Sequence, residues 1–225
     1  MMKEELFQFE FNGHVATVIR PENPNGKWIW KTEFFKAFDQ AEVALCKKGY
    51  TRVYYGISDK YGSDKAIRLM RAFYHEVIKR YNLDEKAILF GFSRGGLYAF
   101  NFALFYPEYT SKVYLDAPVM DMKSWPMGTA CQNQMLAEYW QTEENFPNFK
   151  GNPIDNLEEF FSLGIPPLII QGTADMSVAF EKNAGAVIEY CKEHNIEITY
   201  VIKENAGHHP HSLEDTTIIE EFCEK

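Results

Sequence analysis

One stretch constrains this chain more than any other. KAILF at 86–90 runs into Gly91-Phe92-Ser93-Arg94-Gly95, and that runs into GLYAFNFALFY at 96–106. A compact apolar run bounded by turn residues reads as a fully buried strand. The second apolar run, closed by Pro107, reads as a helix. Only a sharp turn can join them, and glycine at 91 and 95 lets the strand and helix backbones approach where a side chain would collide. A buried strand feeding directly into a helix is the unit of a mostly parallel sheet covered on both faces.

The rest of the chain repeats that alternation. Phe7 to Phe11 alternates strictly and reads as a half-buried strand, Asn12-Gly13 as a hairpin turn, and His14 to Ile19 as its return strand. Pro21, Pro24, Asn25 and Gly26 mark a loop. Thr32 to Lys48 reads as a helix capped by Thr32 and stopped at Gly49, and Arg52 to Ile57 as a strand. A helix capped by Ser63 should run to Tyr81 and end at Asn82. Lys112 to Asp116, Pro167 to Gln171 and Ile196 to Lys203 read as strands, and Ser177 to His194 and Ser212 to the end as helices. Residues 119 to 164, with Pro126, Gly128, Pro147, Gly151 and Pro153, show no strand–helix period. The expectation is an α/β fold in a single domain over 1–225. Its central sheet should be mostly parallel with an antiparallel N-terminal edge, and 119–164 should be a small insertion of short helices and loops forming a partial cap.

The formal net charge of −9 argues against nucleic acid or an anionic membrane as partner, since both reward clustered Lys and Arg. The 46% hydrophobic content excludes a disordered chain. Cys46, Cys131, Cys191 and Cys223 are scattered with no CxxC pair, which reads as reduced thiols. The first thirty residues carry no apolar stretch of leader length, and no window offers the ~20 apolar residues of a membrane helix. The expected setting is cytoplasmic, and no metal or cofactor is called for.

Gly91-Phe92-Ser93-Arg94-Gly95 matches G-x-S-x-G, and its strand–turn–helix context is that of a nucleophile elbow. A serine nucleophile needs a base, and the base an orienting acid. Asp175 follows the strand PLIIQ, and His208 follows ITYVIKE, so both should emerge at the carboxyl edge of the sheet beside Ser93. His209 and His211 compete with His208, which the Gly207-His208 dyad favours. Adjacent histidines rarely converge on one ion, which argues against a metal site. Asp116, after the preceding strand, is the rival acid or else a carboxylate in the site wall. Asp121 reads as an organiser of the insertion.

The phrases WIWKTEFF, SDKYGS, GFSRGG, DAPVMDMKSWPMG and GHHPHSL resemble the α/β-hydrolase superfamily, in a bacterial branch near prolyl-oligopeptidase-like and acetyl-xylan-esterase-like hydrolases. The order Ser, Asp, His is the order of that superfamily's triad. The resemblance implies Ser93 as nucleophile, Asp175 as acid, His208 as base, and ester hydrolysis without a cofactor. It leaves the substrate open, with a small-molecule ester as the expected partner and short acyl esters of carbohydrates as one class.

An oxyanion hole needs two donors. The Arg94 backbone N–H, directly after the serine, should supply one. The other should come from the loop before the first helix, with Trp30 N–H as the candidate. The Arg94 guanidinium should meet a neighbouring carboxylate more readily than an acidic substrate, and Asp59 and Tyr61 should shape a helix start. Aromatics make up 16% of the chain. All four tryptophans fall at Trp28, Trp30, Trp125 and Trp140, in two stretches expected to stand over Ser93, which makes them candidate substrate walls.

Overall fold

The computed structural model describes residues 4–225. Its eight strands are β1 (Glu4–Phe11), β2 (His14–Pro21), β3 (Trp28–Lys31), β4 (Thr51–Tyr55), β5 (Ala87–Phe92), β6 (Thr110–Asp116), β7 (Pro167–Gly172) and β8 (Thr199–Lys203). They form one sheet in the order β1-β2-β4-β3-β5-β6-β7-β8. The β1–β2 and β2–β4 pairings are antiparallel and all others parallel, so the antiparallel N-terminal edge is where the sequence places it.

Period-2 alternation decides which residues meet which layer. Along β5, Ala87 and Leu89 join one core, while Ile88, Phe90 and Phe92 join the other. The larger core packs the sheet against α2 (Asp64–Tyr81), α3 (Gly95–Phe105) and α6 (Ala184–Glu193). The smaller packs it against α1 (Gln40–Lys47) and α7 (Thr217–Glu224). Residues 119–164 hold two short helices, α4 (Gln132–Glu138) and α5 (Leu157–Ser162). Phe160 of α5 stacks on Phe100 of α3 at 4.2 Å. That covers the outer side of α3, so a helix apolar on all sides is buried from Gly95 to Ala103.

The ends of α2 are as expected. Ser63 Oγ accepts the Ala66 N–H, and Asn82 closes the helix in the left-handed region at φ 52°. Three helix starts move, each for a local reason. The helix expected from Thr32 starts only at Gln40, because Phe34, Lys36 and Phe38 all take positive φ (55°, 68° and 51°). The helix expected from Ser177 starts at Ala184, because the Ser177 and Val178 N–H groups are bound to Asp175. The helix expected from Ser212 starts at Thr217, because Ser212 sits at φ 65° with its N–H on Asp116. No helix among the described residues is long and apolar enough to cross a membrane.

Candidate active site

Ser93 stands between β5 and α3 with φ 52°, a left-handed conformation costly for a residue with a Cβ. The turn is held on both sides. Ser93 N–H donates to Asp116 O at 2.9 Å, and the Gly96 and Val119 N–H groups donate to Ser93 O at 3.0 and 2.9 Å. The flanking glycines are required by close approach. A Cβ on Gly91 would lie 2.8 Å from Ala99 Cβ and 2.9 Å from Gly95 O, and one on Gly95 would lie 2.9 Å from Thr32 Oγ1.

β7 and β8 deliver the partners. His208 Nε2 lies 3.0 Å from Ser93 Oγ, and His208 Nδ1 lies 2.7 Å from Asp175 Oδ2. Asp175 Oδ1 accepts the N–H groups of Ser177 and Val178 at 2.9 and 2.8 Å, and Oδ2 also accepts Gln171 Nε2 at 3.2 Å. Burial pushes the Asp175 carboxyl up. The His208 hydrogen bond and the two backbone N–H groups outweigh it and hold the group below the usual carboxylate range. The donors also fix the tautomer: with Nδ1–H on the carboxylate, Nε2 presents its lone pair to the serine hydroxyl. Ser93 is buried and the His208 side chain is 12% exposed, so the reacting atoms meet solvent only through a narrow face.

The rival residues lie close by with other partners. His209 is exposed and stacks on Phe38 at 5.5 Å. Burial, with His211 and His208 adding to it, holds the His209 imidazole below the usual range. His211 is buried with its Nδ1 2.8 Å from Asp116 Oδ1. Asp116 therefore serves His211, and Asp175 serves His208. Ring nitrogens of His208, His209 and His211 lie within 4.8 Å of one another, but both His208 nitrogens and His211 Nδ1 already have protein partners. Asp121 accepts the Lys123 N–H at 2.9 Å, a turn inside the insertion.

The expectations for Trp28, Trp30 and Trp140 are corrected. Trp28 and Trp30 lie in β3, an interior strand. Its register sets Trp30 opposite Val53 on one side and Leu89 on the other. Its backbone is committed to the ladder, so Trp30 N–H cannot face Ser93. Both indoles are buried: Trp30 packs edge-on against Phe73 and Phe102, and Trp28 Nε1 donates to Asp84 O at 2.9 Å. WIWK is a short run of β-formers after Gly26, a strand signal that Lys31 obscured. Glu42, 3.0 Å from Lys31 Nζ, is what allows that lysine inside. The segment that reaches the elbow is the next one along. Gly95 packs against Thr32 and Glu33, Glu33 Oε2 lies 3.3 Å from the Arg94 guanidinium, and Arg94 lies over the Phe34 ring at 5.3 Å.

Trp125 packs against Tyr61 at 6.2 Å, and the Tyr61 hydroxyl donates to Gln134 in α4 at 2.8 Å. Asp59 pairs with Lys60, in the turn before α2. Trp140, 92% exposed, lines a cavity of about 770 Å³ with Gly62, Asn101 and Phe105, and no triad residue lines it. Asn101 and Phe105 lie six and ten residues beyond Gly95 on α3, which places this cavity about 9–15 Å from the elbow along the helix. Trp28, Trp30 and Trp140 therefore form no wall over Ser93.

A sheet of this order with a serine at the β5–α3 turn defines an α/β-hydrolase. Residues 48–224 match the model of the prolyl oligopeptidase family, a family of serine hydrolases, and the chain belongs to it. No curated protein matches in sequence. Among solved structures, S-formylglutathione hydrolase of Staphylococcus aureus superposes with a TM-score of 0.70 at 14% identity, covering 98% of this chain and 95% of that one. A putative carboxylesterase of Lactobacillus plantarum gives 0.63 at 15%, covering 92% and 88%. A puromycin-hydrolyzing peptidase of Mycobacterium tuberculosis gives 0.72 at 12%, covering 99% of this chain but 38% of that one. At these identities the likeness is one of fold.

Proposed function

We propose that this chain cleaves carboxylic esters through an acyl-enzyme on Ser93. The observation that carries the reading is the unbroken line from Ser93 Oγ to His208 Nε2 at 3.0 Å and from His208 Nδ1 to Asp175 Oδ2 at 2.7 Å. His208 takes the hydroxyl proton as Oγ attacks the ester carbonyl. Asp175 keeps the imidazole in its tautomer and balances the imidazolium that forms. His208 then protonates the leaving alcohol, and water, activated the same way, releases the acid. The oxyanion is met by the Arg94 backbone N–H and by an N–H of the Glu33–Phe34 turn, which packs beside it.

Ester rather than peptide cleavage is favoured by extent. The named esterases are matched over nearly their whole length, whereas the chain spans little more than a third of the peptidase, at 38%. Family membership supports the second reading, a serine peptidase. Carbohydrate esters lose part of their support, because Trp28, Trp30 and Trp140 do not face the serine. Labelling by a fluorophosphonate, absent in Ser93→Ala, tests the nucleophile. Turnover of p-nitrophenyl acetate without turnover of peptide anilides decides for esterase, and the reverse decides for peptidase.

A further inference from the structure

We propose that Asp116 and His211 are a positioning pair that sets the spacing between the Ser93 turn and the His208 loop. Asp116 is the last residue of β6 and is fully buried. It is bonded both to the Ser93 turn and to the loop that carries His208. Its backbone carbonyl accepts the Ser93 N–H at 2.9 Å. Its Oδ1 accepts His211 Nδ1 at 2.8 Å, and its Oδ2 accepts the Ser212 N–H at 2.8 Å and the Tyr114 hydroxyl at 2.6 Å. Tyr114 lies two residues back on β6 and points to the same side, so it braces the carboxylate from below.

The loop from 204 to 216 leaves β8 with His208 on it and returns to the sheet at His211 and Ser212. His211 is caged by rings: Phe92 at 5.3 Å, Phe38 at 5.4 Å and His208 at 4.9 Å. Phe92 is the residue before the nucleophile. The His211 ring therefore stands between the floor of the elbow and the base. The left-handed Ser212 is the cost of aiming two successive residues at one carboxylate, and the Ser212 N–H bond offsets it. Neither Asp116 nor His211 touches Ser93 Oγ or Asp175. They act only through where they hold His208.

The proposal rests on the reading of Ser93, His208 and Asp175 as the reacting groups. Two substitutions separate the bond from the ring. His211→Phe keeps a ring of similar bulk and removes the donor. His211→Asn keeps a donor at the position of Nδ1. For p-nitrophenyl acetate, His211→Phe should lower kcat on the order of 10²-fold with KM within about twofold, the cost of displacing a reacting group by roughly an ångström. His211→Asn should recover most of the loss. Fluorophosphonate labelling should slow in parallel, and the pH of half-maximal rate should stay put, since neither variant alters the titrating pair. Both are measured where circular dichroism shows them folded. The downfield Nδ1–H proton resonance of His208 reads the loop without turnover. It should be sharp in the wild type and in His211→Asn, and broadened or lost in His211→Phe, and Asp116→Asn should broaden it if His211→Phe does not fold. A folded His211→Phe variant as fast as wild type, an Asn variant as slow as the Phe variant, or an unchanged His208 resonance overturns the positioning role. Absence of Ser93 labelling in the wild type overturns the hydrolase reading instead, and the resonance still decides the pair.

Discussion

Two histidine–aspartate pairs lie side by side in this molecule, with the imidazoles of His208 and His211 only 4.9 Å apart, and their surroundings differ. In both, Nδ1 faces a carboxylate oxygen, at 2.7 Å for His208–Asp175 and 2.8 Å for His211–Asp116. What differs is the far side of each ring. His208 Nε2 opens onto a serine hydroxyl, while His211 faces Phe38 and Phe92. The carboxylates differ as well. Asp175 sits in a turn fed by its own neighbours' N–H groups, so its position is local. Asp116 is bonded to residues 23 positions before it and 95 and 96 positions after it, so its position is a joint between distant parts of the chain. On the reading proposed above, like residue types at like distances divide into a proton-handling pair and a holding pair, according to what the second nitrogen faces.

That division can be broken by experiment. Ser93→Ala removes the group the first pair serves and should lower ester turnover on the order of 10⁶-fold, with the circular dichroism spectrum unchanged. Steady-state rates at high enzyme concentration check it, and residual activity above about 1% would point to another nucleophile. Asp175→Asn should cost on the order of 10⁴-fold in kcat, because the amide favours the wrong His208 tautomer. Asp116→Asn should cost less, on the order of 10²-fold, since it loosens a position and leaves the tautomer alone. If the order of these two losses reverses under the same assay, the roles of the pairs are exchanged. The smallest effect is the finest test. Asp175 is held below the usual carboxylate range, so it stays ionised at neutral pH. Base catalysis needs neutral His208, so log(kcat/KM) should rise with pH through the neutral range with the slope of one proton. A flat profile counts against His208, and a slope of two brings a second group into the reaction.

The sheet, its antiparallel edge and the Ser93 turn were legible because each rests on short-range signals: period-2 alternation, Asn12-Gly13, and glycines on both sides of a serine. Ser93, His208 and Asp175 were legible together because parallel strands deliver their carboxyl ends to one edge, which needs only chain order and strand direction. Trp30 was misplaced for a long-range reason. Lys31 looks like a solvent residue until Glu42 is folded against it, and no local pattern announces that pairing. Trp140 failed differently: it is exposed and lines a cavity beside α3 that none of Ser93, Asp175 and His208 lines. The Asp116–His211 pair was half visible. Both residues were singled out as rivals for catalytic roles, but their mutual bond spans 95 positions and appears only once the sheet is assembled.

β8 is the last strand of the sheet. It pairs with β7 alone, and its residues are exposed or half-buried, whereas every residue of β5 is buried with a partner strand on either side. Ser93 therefore follows a fully enclosed strand, and His208 lies on the loop that leaves an edge strand. Fraying belongs to the second kind of strand, and it begins well below the temperature at which a whole sheet melts. On the reading proposed above, heating should therefore stop turnover before the circular dichroism of the sheet changes, because the loop that carries His208 hangs from an edge strand.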